Sequence, residues 1–143
     1  MDKRINGFTL IEMLLTIGIL GLLSFIVVPS IYKSIERQEL VQFFNVLESD
    51  VFYIQNQALG TRKNFRIIFD EDYYIIAGPF NSGIDIKRYY PKHLKQEIKI
   101  NHRVTFTSNG TVSDSTKVLF NYRDTTYQLV FPLGKGRYYI EEK

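Results

Sequence analysis

From Met13 to Tyr32, 20 consecutive residues carry no charged side chain, and between Phe8 and Tyr32 only Glu12 is ionisable. A helix of that length reaches ~30 Å, the thickness of a bilayer's hydrocarbon core. Charge density then rises at Lys33, Glu36, Arg37 and Glu39, but the helical period continues. Leu40, Phe44, Leu47, Val51, Ile54 and Ala58 recur at spacings of four and three, one face of an amphipathic helix. Gln42, Asn45, Glu48, Ser49, Gln55 and Asn56 fill much of the other side. Gly60 is the predicted C-cap, with Arg62 and Lys63 just beyond it. The pattern predicts one helix over residues 8–59, about 78 Å long at 1.5 Å per residue.

After Gly60 the period changes to two. Asn64–Phe69 and Tyr73–Ala77 flank the acidic triplet Asp70-Glu71-Asp72, a predicted hairpin. Gly78-Pro79 and Asn81-Ser82-Gly83 mark a loop, and Ile84–Tyr90 reads as a short edge strand before Pro91. Arg103–Ser108 is a strand running into Asn109-Gly110, a tight turn whose two central residues both tolerate positive φ. Lys117–Tyr122 and Thr126–Phe131 pair around Arg123-Asp124-Thr125, and Gly134-Lys135-Gly136 turns into a last strand, Arg137–Ile140. The fold class is α+β: a long N-terminal helix packed on a C-terminal antiparallel, twisted β-sheet.

Composition sharpens this only slightly. About 80 residues follow Gly60, enough for a thin core, and ten Tyr and eleven Phe raise the buried area per residue. The absence of cysteine removes disulfides, thiol nucleophiles and thiolate metal sites. A net charge of +3 permits contact with polyanions without arguing for it.

The N-terminus carries more information. Lys3 and Arg4 precede Gly7-Phe8-Thr9-Leu10-Ile11-Glu12 and the apolar run. An ordinary secretory signal has a shorter apolar stretch, roughly 7–15 residues, and a small-residue cut site. Here no Ala-x-Ala follows. A plain signal anchor accounts for the length and the positive flank. It leaves unexplained a carboxylate inside the run, which costs roughly 2.5–3.5 kcal/mol at a helix centre and less near an end.

The arrangement Lys-Arg…Gly|Phe-Thr-Leu-Ile-Glu resembles the class III signal of type IV pilins and pseudopilins. The resemblance implies cleavage between Gly7 and Phe8 by a prepilin peptidase and N-methylation of Phe8. It implies that Glu12 pairs with the terminal amine of a neighbouring subunit, both charges lying in lipid. Gly21 and Pro29 match positions where the pilin helix loosens on assembly, and Gly18 lies in the same run. The implied division is a leader over 1–7, a membrane or filament-core helix over 8–32, an amphipathic helix over 33–60 and a β-rich soluble domain over 61–143. Further along, Val104-x-Phe106…Gly110…Tyr127-x-Leu-x-Phe131…Leu133-Gly134-x-Gly136-Arg137 resembles minor pseudopilins of the competence and type II secretion classes. Phe44, Leu47, Asp50 and Gln57 fit the Gram-positive competence group best.

Catalytic chemistry finds no support in the residues. His93 and His102 lie in a polar region without nearby paired carboxylates, whereas zinc needs three or four convergent ligands. Asp70-Glu71-Asp72 lacks the spaced oxygens of a Ca²⁺ loop and reads as a solvated turn. Gly134-Lys135-Gly136-Arg137 lacks the phosphate-loop pattern. A non-enzyme with no cofactor and no metal is expected. One patch, Lys87-Arg88-Tyr89-Tyr90-Pro91-Lys92-His93-Leu94-Lys95, interleaves basic and aromatic residues as a strand-binding surface would. Lys87, Arg88, Tyr89, Tyr90, Lys92 and Lys95 are therefore candidates for DNA contact. The alternative is a solvated edge strand whose lysines block edge pairing.

The resemblance implies a minor subunit of a type IV-like competence pilus for DNA uptake. Its partners would be major and minor pilins, the prepilin peptidase, the membrane and, indirectly, an assembly ATPase. It would sit in the cytoplasmic membrane by one pass before assembly and at the cell surface afterwards. The alternatives are a type II secretion minor pseudopilin and a simply anchored extracytoplasmic binding domain.

Overall fold

The structure, a computed structural model, describes residues 8–79, 83, 85–97 and 103–143. Residues 1–7, the expected leader with Gly7, and also Ile84 and His102 lie outside the described residues. One helix, α1, spans Leu10–Thr61. The chain divides into two compact units at Glu39/Leu40.

In the first unit α1 is apolar all round as far as Val28, Glu12 excepted. Leu10–Val28 has a mean hydropathy of 2.5, and all of it is exposed. Its few hydroxyls bond within the helix: Thr16 Oγ1 donates to the Met13 carbonyl at 2.8 Å, and Ser24 Oγ to that of Leu20 at 2.8 Å. A lipid-exposed helix must satisfy its polar groups internally in this way. The helix assignment continues through Pro29.

In the second unit Leu40, Phe43, Leu47, Val51, Ile54 and Ala58 form the buried stripe of α1. The stripe differs from the predicted one at a single position. Phe43 takes the buried place, its ring edge-on to those of Phe44, Tyr74, Tyr90 and Phe120, while Phe44 flanks the core. The helix also outlasts its predicted cap. Gly60 is helical, Thr61 Oγ1 donates to the Gln57 carbonyl at 2.6 Å, and Arg62 takes the left-handed position at φ 54°. A terminal carbonyl is thus capped by a hydroxyl, and the chain reverses one residue later.

Among the described residues eight strands follow: β1 Phe65–Phe69, β2 Tyr73–Ala77, β3 Asp85–Tyr89, β4 Leu94–Gln96, β5 Arg103–Phe106, β6 Thr116–Tyr122, β7 Thr125–Phe131 and β8 Tyr139–Glu142. They form two four-stranded antiparallel sheets rather than one, in the orders β3-β2-β1-β5 and β4-β6-β7-β8. The division arises because β4, which the alternation pattern misses, leaves the first sheet and pairs with β6. Backbone bonds join the sheets. The acidic turn accepts from beyond β3, with Tyr90 N–H on the Asp72 carbonyl at 3.0 Å and Gln96 N–H on that of Glu71 at 3.2 Å. At a second junction Val112 bridges to Phe106 and exchanges bonds with Gly134 and Lys135.

The Asn109-Gly110 turn forms differently from expectation. Only Gly110 takes positive φ, 70°, and Thr107 and Thr111 close a three-residue loop around it. This is the geometry of a type I turn followed by a left-handed glycine. A Cβ on Gly110 would lie 3.0 Å from Leu59 Cγ, so the end of α1 packs on the turn. The last strand begins at Tyr139 rather than Arg137 because the residues before it are held on α1. Gln55 Nε2 donates to the Gly136 carbonyl, and Tyr138 OH donates to that of Phe44 at 3.2 Å. The core lies between the α1 stripe and the inner faces of both sheets, with Leu47, Ile54, Phe65, Phe69, Tyr74, Phe106, Phe120 and Phe131 fully enclosed.

Candidate functional site

The N-terminal site begins with the local chemistry of a helix start. Thr9 is the N-cap: its carbonyl accepts the first helical bond from Met13 N–H at 3.2 Å. Thr9 Oγ1 accepts from Glu12 N–H, and Glu12 Oε2 accepts from both Thr9 N–H and Thr9 Oγ1–H, each at 3.4 Å. This reciprocal arrangement is a capping box, written in the sequence as Thr9-x-x-Glu12. Reading Glu12 only as an assembly charge misses this local role of Thr9. The carboxylate also lies in the first turn, where the helix dipole favours a negative charge. Phe8 precedes the cap and is exposed, as are Leu10, Ile11, Leu14 and Leu15 around Glu12. The surroundings of Glu12 are therefore apolar, and its oxygens are held toward the helix start. Gly21 has nothing within 4 Å of its missing Cβ, and Gly18 is equally open.

The residues of the basic patch divide between partners on α1 and the outward face of the sheet. Strand alternation sends residues 86, 88 and 90 toward α1 and residues 85, 87 and 89 away from it. Arg88 reaches Asp50 on α1 as a two-toothed ion pair, Nε at 3.2 Å from Oδ2 and Nη2 at 3.3 Å from Oδ1. Tyr74 OH donates to the same Oδ2 at 2.6 Å. Asp50 is buried, and it holds the Arg88 guanidinium above its ordinary pKa. Burial pushes the Tyr74 phenol well up, and the bond to Asp50 adds to the shift. Tyr90 is half-buried, with its ring stacked on Tyr74 and edge-on to Phe43 and Phe120. Burial likewise raises its pKa. Arg88 and Tyr90 thus brace the fold. Asp50 interrupts the apolar stripe of α1, and a carboxylate in that place is a readable sign of a buried partner.

Lys87 and Tyr89 do face outward. Lys87 Nζ stands 3.5 Å over the Tyr73 ring and 5.0 Å from that of Tyr89, a cation–π clamp. Lys92 is exposed, and Lys95 Nζ is 3.8 Å from Glu71 Oε1 across an exposed pair. Among the described residues no three His, Cys, Asp or Glu side chains gather as metal ligands.

Comparison with known proteins bears on these two regions differently. Residues 2–28 match the prokaryotic N-terminal methylation motif. The whole chain aligns with the whole of competence protein ComGD from Bacillus subtilis (strain 168), 24% identical over 148 residues. The crystal structure of type IV minor pilin FimU from Pseudomonas aeruginosa superposes with a TM-score of 0.57, covering 74% of this chain and 90% of that one. At 21% identity that likeness speaks to the fold alone.

Proposed function

We propose that this chain, a type IV pilin-like minor pseudopilin, is a subunit of a competence pilus that serves DNA uptake. The methylation motif at residues 2–28 carries the reading, and the end-to-end likeness to ComGD directs it to competence. The protein is made as a membrane-anchored precursor with Leu10–Val28 in the bilayer. A prepilin peptidase cuts between Gly7 and Phe8, and methylation of Phe8 preserves the cationic amine, which titrates near ~7.7–8.0. Driven indirectly by an assembly ATPase, the subunit then leaves the membrane for the filament at the cell surface.

Assembly rests on charge pairing in an apolar setting. The amine of Phe8 in one subunit meets Glu12 of another, so each offsets the other's desolvation and together they select register. The capping box keeps Glu12 at the helix start until that partner arrives. Gly21 and Pro29 supply the weak points at which the helix loosens as it packs among major and minor pilins. Of the basic patch, Lys87 and Tyr89, side by side on the outward face of β3, are the residues we propose for DNA contact.

Mass spectrometry of the native protein from cells with active peptidase should find an N-terminal methylated Phe8. An uncut N-terminus would remove the filament reading. The variant E12Q keeps a capping residue, since Gln also serves at that position, but loses the charge. Membrane insertion should be unaffected, while incorporation into filaments should drop to background. Normal incorporation of E12Q would refute the charge pair and leave only the helix cap.

A further inference from the structure

The outward face of the first sheet gathers cations from segments far apart in sequence. Register places Arg66 beside Thr105 on one side and Ala77 on the other, and Ile68 beside Arg103. Residues paired across strands share a face, so Lys87, Ile75, Ile68 and Arg103 form one row of it. The ends of that row are about 14 Å apart, three strand spacings. Tyr73 and Tyr89 form a neighbouring row, their rings 6.0 Å apart under Lys87. Asp85 begins the row that contains Arg66, roughly 10 Å from it.

At the β5 side this face deepens into a hollow of about 540 Å³. Arg62, Lys63, Arg66 and Arg103 line it, and among the described residues no carboxylate does. Ser108 N–H donates to Asn64 Oδ1 at 3.0 Å and fixes one wall. Arg62 and Lys63 have a local reason to be there, because cations favour a helix C-terminus. Arg66 and Arg103 have none. They stand on strands β1 and β5, and among the described residues neither meets a carboxylate. Four like charges around one concavity repel each other and raise the local potential for an anion.

We infer that this hollow and the sheet face running from it to Lys87 form a binding site for the phosphodiester backbone of duplex DNA. The inference deepens the competence reading and rests on it for the choice of polyanion. Phosphates of one strand occupy the hollow among the arginines, whose planar forks suit phosphate oxygens. Lys87, held over the tyrosines, meets the backbone farther along. The site differs from the edge patch in being centred on β1 and β5, which only pairing brings together.

The test uses the full-length protein in detergent micelles and a short fluorescent DNA duplex, titrated between roughly 50 and 200 mM NaCl. Each cation–phosphate contact contributes about −0.9 to the slope of log affinity against log salt. R66Q/R103Q should therefore flatten the slope by about 1.8, a loss of about 60-fold at 0.1 M if the salt-independent part is unchanged. K92Q/K95Q, at the β3–β4 edge, should leave the slope as it is. R103Q alone, at an exposed position, should flatten it by about 0.9 and covers the case where the double variant fails to fold. An unchanged slope in the arginine variants, or an equal loss in K92Q/K95Q, would overturn the site. Deleting the gene tests the competence reading separately: DNA uptake that persists would overturn that reading, whatever the arginine variants do to binding.

Discussion

Asp50 shows how one side chain ties helix to sheet. It is 6% exposed, accepts from Tyr74 OH at 2.6 Å and holds Arg88, whose side chain is 46% exposed. Removing the carboxylate strands a fully buried phenol, which costs about 1–3 kcal/mol. Arg88 can turn to water, so its loss of partner adds little. D50A should destabilise the fold by about 2 kcal/mol, seen as a lower urea midpoint with an unchanged m-value. D50N keeps an acceptor for Tyr74 and should fall between D50A and the natural chain. Equal losses in both would mean that the charge, rather than the hydrogen bond, carries the effect.

At the scale of the element, α1 is a single helix used in two ways. Up to Val28 the described side chains are exposed on all sides, as lipid or neighbouring helices demand. From Leu40 a narrow stripe is buried and the remainder meets solvent. Leu47 has no exposed surface, whereas Phe52 is 67% exposed. L47A should cost about 2–5 kcal/mol through lost burial and the cavity it leaves. F52A should stay within about 0.5 kcal/mol although it deletes the larger side chain. Thermal unfolding of the two variants side by side checks the contrast. Comparable losses would place the stripe elsewhere on the helix.

The unit from Leu40 to Lys143 should, as a whole, be sensitive to alkali. Tyr74, Tyr90 and Tyr138 all have phenol pKa values raised by burial. In the unfolded chain these groups lose protons near pH ~10. Above that pH the folded state binds more protons than the unfolded one, so stability falls as pH rises. Their contribution is complete below about pH 10 and is lost between there and the higher folded-state values. Urea midpoints should be flat through neutral pH and then fall above about pH 10, ahead of any change in the natural chain's helix content. Y138F, which removes one of the three groups, should shallow that fall.

The amino-acid sequence by itself determined whatever depends on near neighbours in the chain. The uncharged stretch through Tyr32, the period of the Leu40–Ala58 stripe and the Thr9-x-x-Glu12 cap all arise within one helix. The Tyr73–Ala77 strand and the turn at Asp70–Asp72 are equally local. Gly60, lacking a Cβ, suits a left-handed cap, yet the Thr61 hydroxyl and Arg62 take that role. Only the tertiary structure decided what depends on pairing. Alternation marks a strand's two faces without naming its partner, so it could not divide eight strands into two sheets or send β4 to β6. For the same reason Lys87 to Lys95 reads as one run in the sequence, whereas in the fold Arg88 pairs with Asp50 and the Tyr90 ring packs on Phe43 and Tyr74. Arg66 and Arg103 are 37 positions apart. Antiparallel hydrogen bonding between β1 and β5 makes them neighbours, and no local pattern encodes that meeting.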